Sequence, residues 1–270
     1  MSELARRVLT AIPLLAGLVL VLFLAPLSVA VALAAVIMVL GGWEWAAFLG
    51  WTTNLRRGAY AAIIAGLLAI AAWLVPALVS LQVVLWAALL WWLVAFVWIL
   101  RFPVPIPPVL AGLAGVFVLV PAWLALVAIL CVPGQGPALT LLAVGIVFAA
   151  DVGAYFAGHR FGRVKLAPQV SPGKTWEGFI GGVMLAALTA GAGGALLGLP
   201  AAIMVPIGLG VATLSVVGDL TESMFKRSVG AKDSGHLIPG HGGVLDRLDS
   251  ITAAMPLFAL ALSWLKLSVA

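Results

Sequence analysis

The chain has 270 residues, of which 64% are hydrophobic and only 9% charged, with a net charge of +5. Soluble domains carry about 25% charged residues, so the composition excludes a soluble domain and indicates a polytopic membrane protein. The apolar runs are continuous and do not alternate, which excludes a transmembrane barrel and leaves helices.

A crossing needs roughly 20 apolar residues, so the chain has room for about nine. Arg6 and Arg7 precede the first apolar run, and Ser28-Val29-Ala30 imitates a signal cleavage site. That run exceeds the roughly 7–15 apolar residues of a cleaved signal, so it reads as a retained first span. Nine spans are predicted, at roughly 8–26, 28–49, 58–76, 78–100, 106–131, 138–159, 177–198, 200–224 and 247–268. Pro26, the Thr52–Gly58 turn, Pro76, the Arg101–Pro108 stretch, Pro133–Pro137 and Pro200 separate them, together with loops at 160–175 and 226–243. No internal repeat is visible.

Nine crossings put Arg6, Arg7, Arg56, Arg57, Arg101, Arg160, Arg163, Lys165, Lys174, Lys226, Arg227, Lys232 and Arg247 on one side and only Lys266 on the other. That asymmetry matches the positive-inside rule. It predicts a cytoplasmic N-terminus and a multi-pass protein of the cell inner membrane. The net positive charge is first a topology signal, and second a means of attracting anionic lipid headgroups. The single Cys131 forms no internal disulfide and reads as a buried small apolar residue.

The first five spans carry little chemistry, and their Trp and Phe residues read as interfacial anchors. Glu44, inside Trp43-Glu44-Trp45, is the exception. It is either a functional group at membrane depth or a carboxylate that reaches water. Gly191, Gly194 and Gly198 have the spacing of close helix packing.

Two polar stretches hold the chemistry. The first runs from Asp151 through Gly158-His159-Arg160-Phe161-Gly162-Arg163 to Ser171-Pro172-Gly173-Lys174-Thr175. Asp151 follows an apolar run and lies below the membrane surface, where a carboxylate normally has a partner or a metal. Ser171 to Thr175 resembles a phosphate-binding loop but is not a Walker A, since position 168 is Pro. The alternative is an ordinary basic loop before a helix capped by Thr175.

The second stretch spans Ser223 to Asp249 and holds seven charged residues. Asp219 and Glu222 share a helix face just before it. Asp246 and Asp249 open the last span, where carboxylates are favoured by the helix dipole. Capping alone does not explain so many carboxylates beside Lys226, Arg227, Lys232 and Arg247. Oxygen ligands suit Mg²⁺, and the cations suit phosphate. Together they suit phosphoryl or nucleotidyl transfer, in which positioning and charge neutralisation dominate. Gly240, Gly242 and Gly243 would allow a tight anion cradle. His236 and His241 either bind phosphate, move a proton or make local hydrogen bonds.

The run Ser223-Met224-Phe225-Lys226-Arg227, then Lys232-Asp233, then Pro239 to Asp249 (PGHGGVLDRLD) resembles the signature of the phosphatidate cytidylyltransferases, or CDP-diacylglycerol synthases. The segments from Asp151 to Gly162 and from Ser171 to Gly178 resemble the same family. The resemblance covers the chain and is most specific over roughly 145–250. It implies an all-α polytopic bundle and the reaction of CTP with phosphatidic acid to CDP-diacylglycerol and pyrophosphate, in phospholipid biosynthesis. It also implies Mg²⁺, with a second metal ion as an alternative, and a homodimer in the lipid membrane, with no nucleic acid partner. Residues 1–135 would form a scaffold with dimer and lipid contacts, and 136–270 the catalytic region with cytoplasmic loops 160–176 and 225–246.

On that reading Asp219, Asp246 and Asp249 hold the metal. Lys226, Arg227 and Lys232 bind triphosphate or lipid phosphate. Ser171, Lys174 and Thr175 place the nucleotide, and Asp151 orients a basic residue or completes the metal shell. Asp233, His241 and Arg247 complete the substrate contacts. Three rivals stand beside it. A transporter would need polar residues in mid-membrane and inverted repeats. A CDP-alcohol phosphotransferase would need an Asp-Gly-x-x-Ala-Arg motif, which is absent. A CTP-dependent lipid kinase is a rival of that same kind, and the third is a non-catalytic membrane protein that keeps the fold, against which the intact set of carboxylates and cations argues.

Overall fold

The computed structural model describes residues 3–77, 79–235, 237 and 242–265. His236, Pro239, Gly240, His241 and Lys266, all used in the reading above, lie outside the described residues. Among the described residues there are nine α-helices: α1 (Glu3–Leu24), α2 (Leu27–Trp45), α3 (Asn54–Ala77), α4 (Leu81–Leu100), α5 (Pro108–Leu130), α6 (Gly136–Phe161), α7 (Trp176–Leu196), α8 (Ala201–Ser228) and α9 (Leu245–Trp264). Seven of them, α2 to α8, are long and apolar enough to cross a membrane. The protein is an all-α polytopic membrane protein.

Proline sets several helix starts, because its fixed φ suits the first turn and its missing N–H is not needed there. Pro26, Pro107 and Pro200 are the residues before α2, α5 and α8. Close packing then depends on small residues. A Cβ on Gly153 of α6 would lie 3.0 Å from the Gly182 Cα of α7, and one on Gly182 would meet the Ala150 carbonyl at 2.5 Å. Gly191 and Gly194 of α7 pack against Val205 and Met204 of α8, as expected. Gly198 does not. It has open space and a φ of 74°, so it ends the helix in the left-handed conformation. Cys131 is only half-buried, at the carboxyl end of α5, because the helix stops there and leaves its side chain at the rim.

The stretch 160–175 is not a plain loop. Strand β1 (Lys165–Ala167) pairs antiparallel with β2 (Ser171–Thr175), with Lys165 opposite Thr175 and Ala167 opposite Ser171. Helix α8 also runs further than predicted, to Ser228, so Lys226 sits in a helix rather than in the following loop.

Contacts gather the carboxyl ends of α2, α4, α6 and α8 with the amino ends of α3, α5, α7 and α9. Trp45 Nε1 donates to the Ala111 carbonyl at 2.8 Å, and the Tyr60 hydroxyl donates to the Gly112 carbonyl at 2.6 Å. Phe225 of α8 stacks on Phe48 and meets Trp45 and Trp98 within 6 Å between ring centres.

Candidate active site

Two charged clusters lie at this end of the bundle. The first surrounds a cavity of about 490 Å³ lined by residues of α6, the hairpin, α7 and α8. That size is typical of small-ligand sites. Lys174 Nζ lies 2.5 Å from Asp219 Oδ2, an ion pair between the end of β2 and α8. Asp151 lines the same cavity, where its charge acts on the pair. Tyr155 and His159 stack in parallel, with 6.0 Å between ring centres, and both line the wall with Phe179. Thr175 Oγ1 accepts the Gly178 N–H at 3.2 Å and caps α7. Glu177 accepts the Val164 N–H and fastens the hairpin to the same helix end.

The second cluster is buried. Lys226 Nζ lies 2.6 Å from Asp246 Oδ1 and 3.1 Å from Glu222 Oε1. The contact with Glu222 lacks hydrogen-bond alignment, since Glu222 Oε1 has no such partner. Asp246 Oδ2 accepts from the Gly243 N–H at 2.8 Å, the Ser234 N–H at 3.1 Å and the Ser234 hydroxyl at 2.9 Å. Gly242 turns the chain into this bond with a φ of 82°, a conformation that disfavours a side chain. The expectation that Asp219 and Glu222 act on one face is refined. Asp219 looks toward the cavity and Glu222 looks inward to Lys226.

Asp249 lies between the two clusters, where the charges of Asp219, Lys174 and Lys226 all act on its carboxyl. The close passage of α8 past α9 brings it there, since a Cβ on Gly218 would strike the Asp249 carbonyl. Of the predicted site residues, the structure thus assembles Asp151, Lys174, Thr175 and Asp219 in one group and Lys226 with Asp246 in the other. Ser171 starts β2 and is absent from the cavity lining. Arg227, Lys232, Asp233 and Arg247 are exposed near the same end of the bundle. Arg227 Nη1 donates to the Ala231 carbonyl at 3.4 Å.

Sequence reasoning did not single out Ser234, Phe179 or the Tyr155–His159 pair. Ser234 directly follows Lys232-Asp233, a signal that a hydroxyl beside a charged pair could have given.

Among the described residues no three His, Cys, Asp or Glu side chains form a metal cage. Mg²⁺ does not require such a cage, since it takes one or two carboxylates and fills its shell with phosphate oxygens and water. The donor chemistry fits: Asp219 and Asp249 are half-buried carboxylates close to each other and to cations.

A helical membrane bundle with a lysine and two carboxylates in the wall of a cavity of this size suits a membrane protein that handles phosphate-bearing ligands. The sequence model of the cytidylyltransferase family matches residues 5–265. The chain belongs to that family. It is similar to the phosphatidate cytidylyltransferase of Pseudomonas aeruginosa, 43% identical over 233 residues, covering 83% of this chain and 84% of that protein. It is similar to that of Haemophilus influenzae, 41% identical over 284 residues and covering 95% and 97% of the two chains. The Bacillus subtilis protein of the same name is 44% identical over 121 residues, 43% of this chain and 45% of that protein.

Proposed function

We propose that this protein transfers the cytidylyl group of CTP to phosphatidic acid, forming CDP-diacylglycerol and pyrophosphate. The observation that carries this reading is the cavity of about 490 Å³ with the Lys174–Asp219 pair in its wall, in a chain of the cytidylyltransferase family.

A phosphate oxygen of phosphatidic acid attacks the α-phosphorus of CTP. The bond from that phosphorus to the bridging oxygen breaks, and pyrophosphate leaves with the electron pair. A phosphomonoester is largely ionised at pH 7, so no strong base is needed. The work of the protein is to hold two polyanions in line. Lys174 meets the nucleotide phosphates from the cavity wall. Lys226, held by Asp246 and Glu222, supplies fixed positive charge beside them. Asp219 and Asp249 are the carboxylates to hold Mg²⁺, which when bound neutralises charge on the phosphate oxygens, whereas both oxygens of Asp246 are taken by Lys226, Ser234 and Gly243. Asp151 keeps Lys174 oriented. Arg227, Lys232 and Arg247 draw the lipid headgroup to this end of the bundle.

The basic residues concentrated at this end support a cytoplasmic site in the inner membrane. The acyl chains stay in the bilayer. Exposed apolar side chains such as Ile70, Trp73, Val83, Trp86 and Leu90 give α3 and α4 a face for lipid or for a second copy of the chain, in keeping with a homodimer.

Purified protein given phosphatidic acid, Mg²⁺ and one nucleotide at a time should release pyrophosphate with CTP and not with ATP. Release with ATP alone would overturn the cytidylyl assignment. Lys174→Ala should raise the KM for CTP by about tenfold or more, the value of one lost hydrogen bond to a charged group. An unchanged KM would remove Lys174 from the nucleotide site.

A further inference from the structure

Glu44 belongs to neither charged cluster, yet it is only 1% exposed, at the end of α2. Its Oε2 accepts the Leu245 N–H at 2.9 Å and lies 3.2 Å from the Ser234 hydroxyl. Those partners are 201 and 190 residues away in the chain. Leu245 is the first residue of α9, and the preceding Val244 offers no capping side chain. Glu44 therefore performs from α2 the task an N-cap residue performs locally, with the helix dipole in its favour.

The same carboxylate closes the base of the 235–243 segment. A Cβ on Gly235 would strike Glu44 Oε1, and one on Gly243 would strike Glu44 Oε2 and the Ser234 hydroxyl. Gly235 and Gly243 thus both lie against one side chain, and a methyl at either would push it aside. The Ser234 hydroxyl touches Glu44 and Asp246 together, and the Gly243 N–H goes to Asp246. The seat of Glu44 is rigid, because Trp45 beside it is fixed by the Ala111 carbonyl and by the Phe48 and Phe225 rings.

We propose that Glu44 is a positioning residue for the reaction, resting on the functional reading above: it pins the amino end of α9 and both ends of the 235–243 segment. It thereby sets where Asp246 stands relative to Lys226. Glu44 need not touch substrate.

The test uses the full chain in detergent. It pairs steady-state kinetics with hydrogen exchange over residues 242–248 in the substrate-free protein. Glu44→Ala should lower kcat at least tenfold, leave the KM for CTP within about twofold, and speed exchange at 242–248 while α6 and α7 stay protected. Glu44→Gln keeps an acceptor oxygen for the Leu245 N–H and should restore both kcat and protection. If Glu44→Ala does not fold, Gly235→Ala carries the test, since the atoms its methyl strikes all belong to Glu44; the same paired loss is expected. Wild-type kcat with wild-type exchange in the folded alanine variant would overturn the proposal. So would a Glu44→Gln variant that is inactive yet fully protected, because the charge rather than the anchoring would then matter. Wild-type protein silent with CTP and phosphatidic acid would sink the functional reading alone, and the exchange comparison would still decide the anchoring.

Discussion

Asp246→Asn is expected to reduce turnover by about three orders of magnitude or more while the protein still folds. Both oxygens of Asp246 are committed. Oδ1 faces the Lys226 ammonium, and Oδ2 takes three hydrogens from Ser234 and Gly243. An asparagine must turn its NH₂ toward one set or the other. One orientation sets a donor against an ammonium, and the other sets a donor against three donors. The isosteric amide keeps the volume, so packing survives while the arrangement of charge does not. Several kcal/mol of lost charge stabilisation corresponds to the stated rate loss at 1.36 kcal/mol per tenfold. Turnover and the thermal midpoint should be measured on one preparation. Near-normal turnover would remove Asp246 from the chemistry, and loss of turnover only through unfolding would make it a structural residue.

Lys226→Ala is the second large effect, and it should appear first in stability. The Lys226 side chain is 11% exposed, between carboxylates that are 3% and 14% exposed. Its removal leaves Glu222 and Asp246 buried without a counter-charge. Breaking a buried ion pair by removing one partner costs about 3–5 kcal/mol. Activity should fall with it, since Lys226 also supplies charge beside the phosphates. The double variant Lys226→Met with Glu222→Gln should recover much of the stability and none of the activity. Unfolding midpoints in detergent for both variants decide this. A single variant as stable as wild type would contradict the buried triad, and an active double variant would contradict the phosphate role.

The helices were legible because continuous apolar runs broken by Pro and Gly leave the backbone in lipid no other pairing. The signature from Ser223 to Asp249 was legible because its residue types are so restricted. Three things were not. The hairpin at Lys165–Thr175 contains Pro and Gly, which strand propensity disfavours. It exists because Glu177 and the Trp176 N–H, at the start of α7, both hold Val164, the residue before β1. Lys226 read as a loop residue because charge usually ends a span. Its pairing with Glu222 four residues earlier lets α8 continue through it. Glu44 was noticed as a carboxylate at depth, but its partners lie on the other side of the sequence. Only the approach of α2 to α9 brings them together, with Gly41 of α2 against Leu245.

The two charged clusters explain why the signature and the earlier Ser171–Gly178 segment belong together. Asp219 of α8 reaches Lys174 of the hairpin, and seven residues further on the same helix Lys226 reaches Asp246 of α9. Helix α8 is therefore the shared wall. It carries one carboxylate and one ammonium seven residues apart, Asp219 and Lys226, each paired with a charge on a neighbouring element.

CTP labelled separately at its α- and γ-phosphorus tests the central claim most directly. The purified protein, given phosphatidic acid and Mg²⁺, should carry the α label into a chloroform-soluble lipid and release the γ label as pyrophosphate. Transfer of the γ label into lipid would mean a kinase, and no label in lipid from either position would contradict the account.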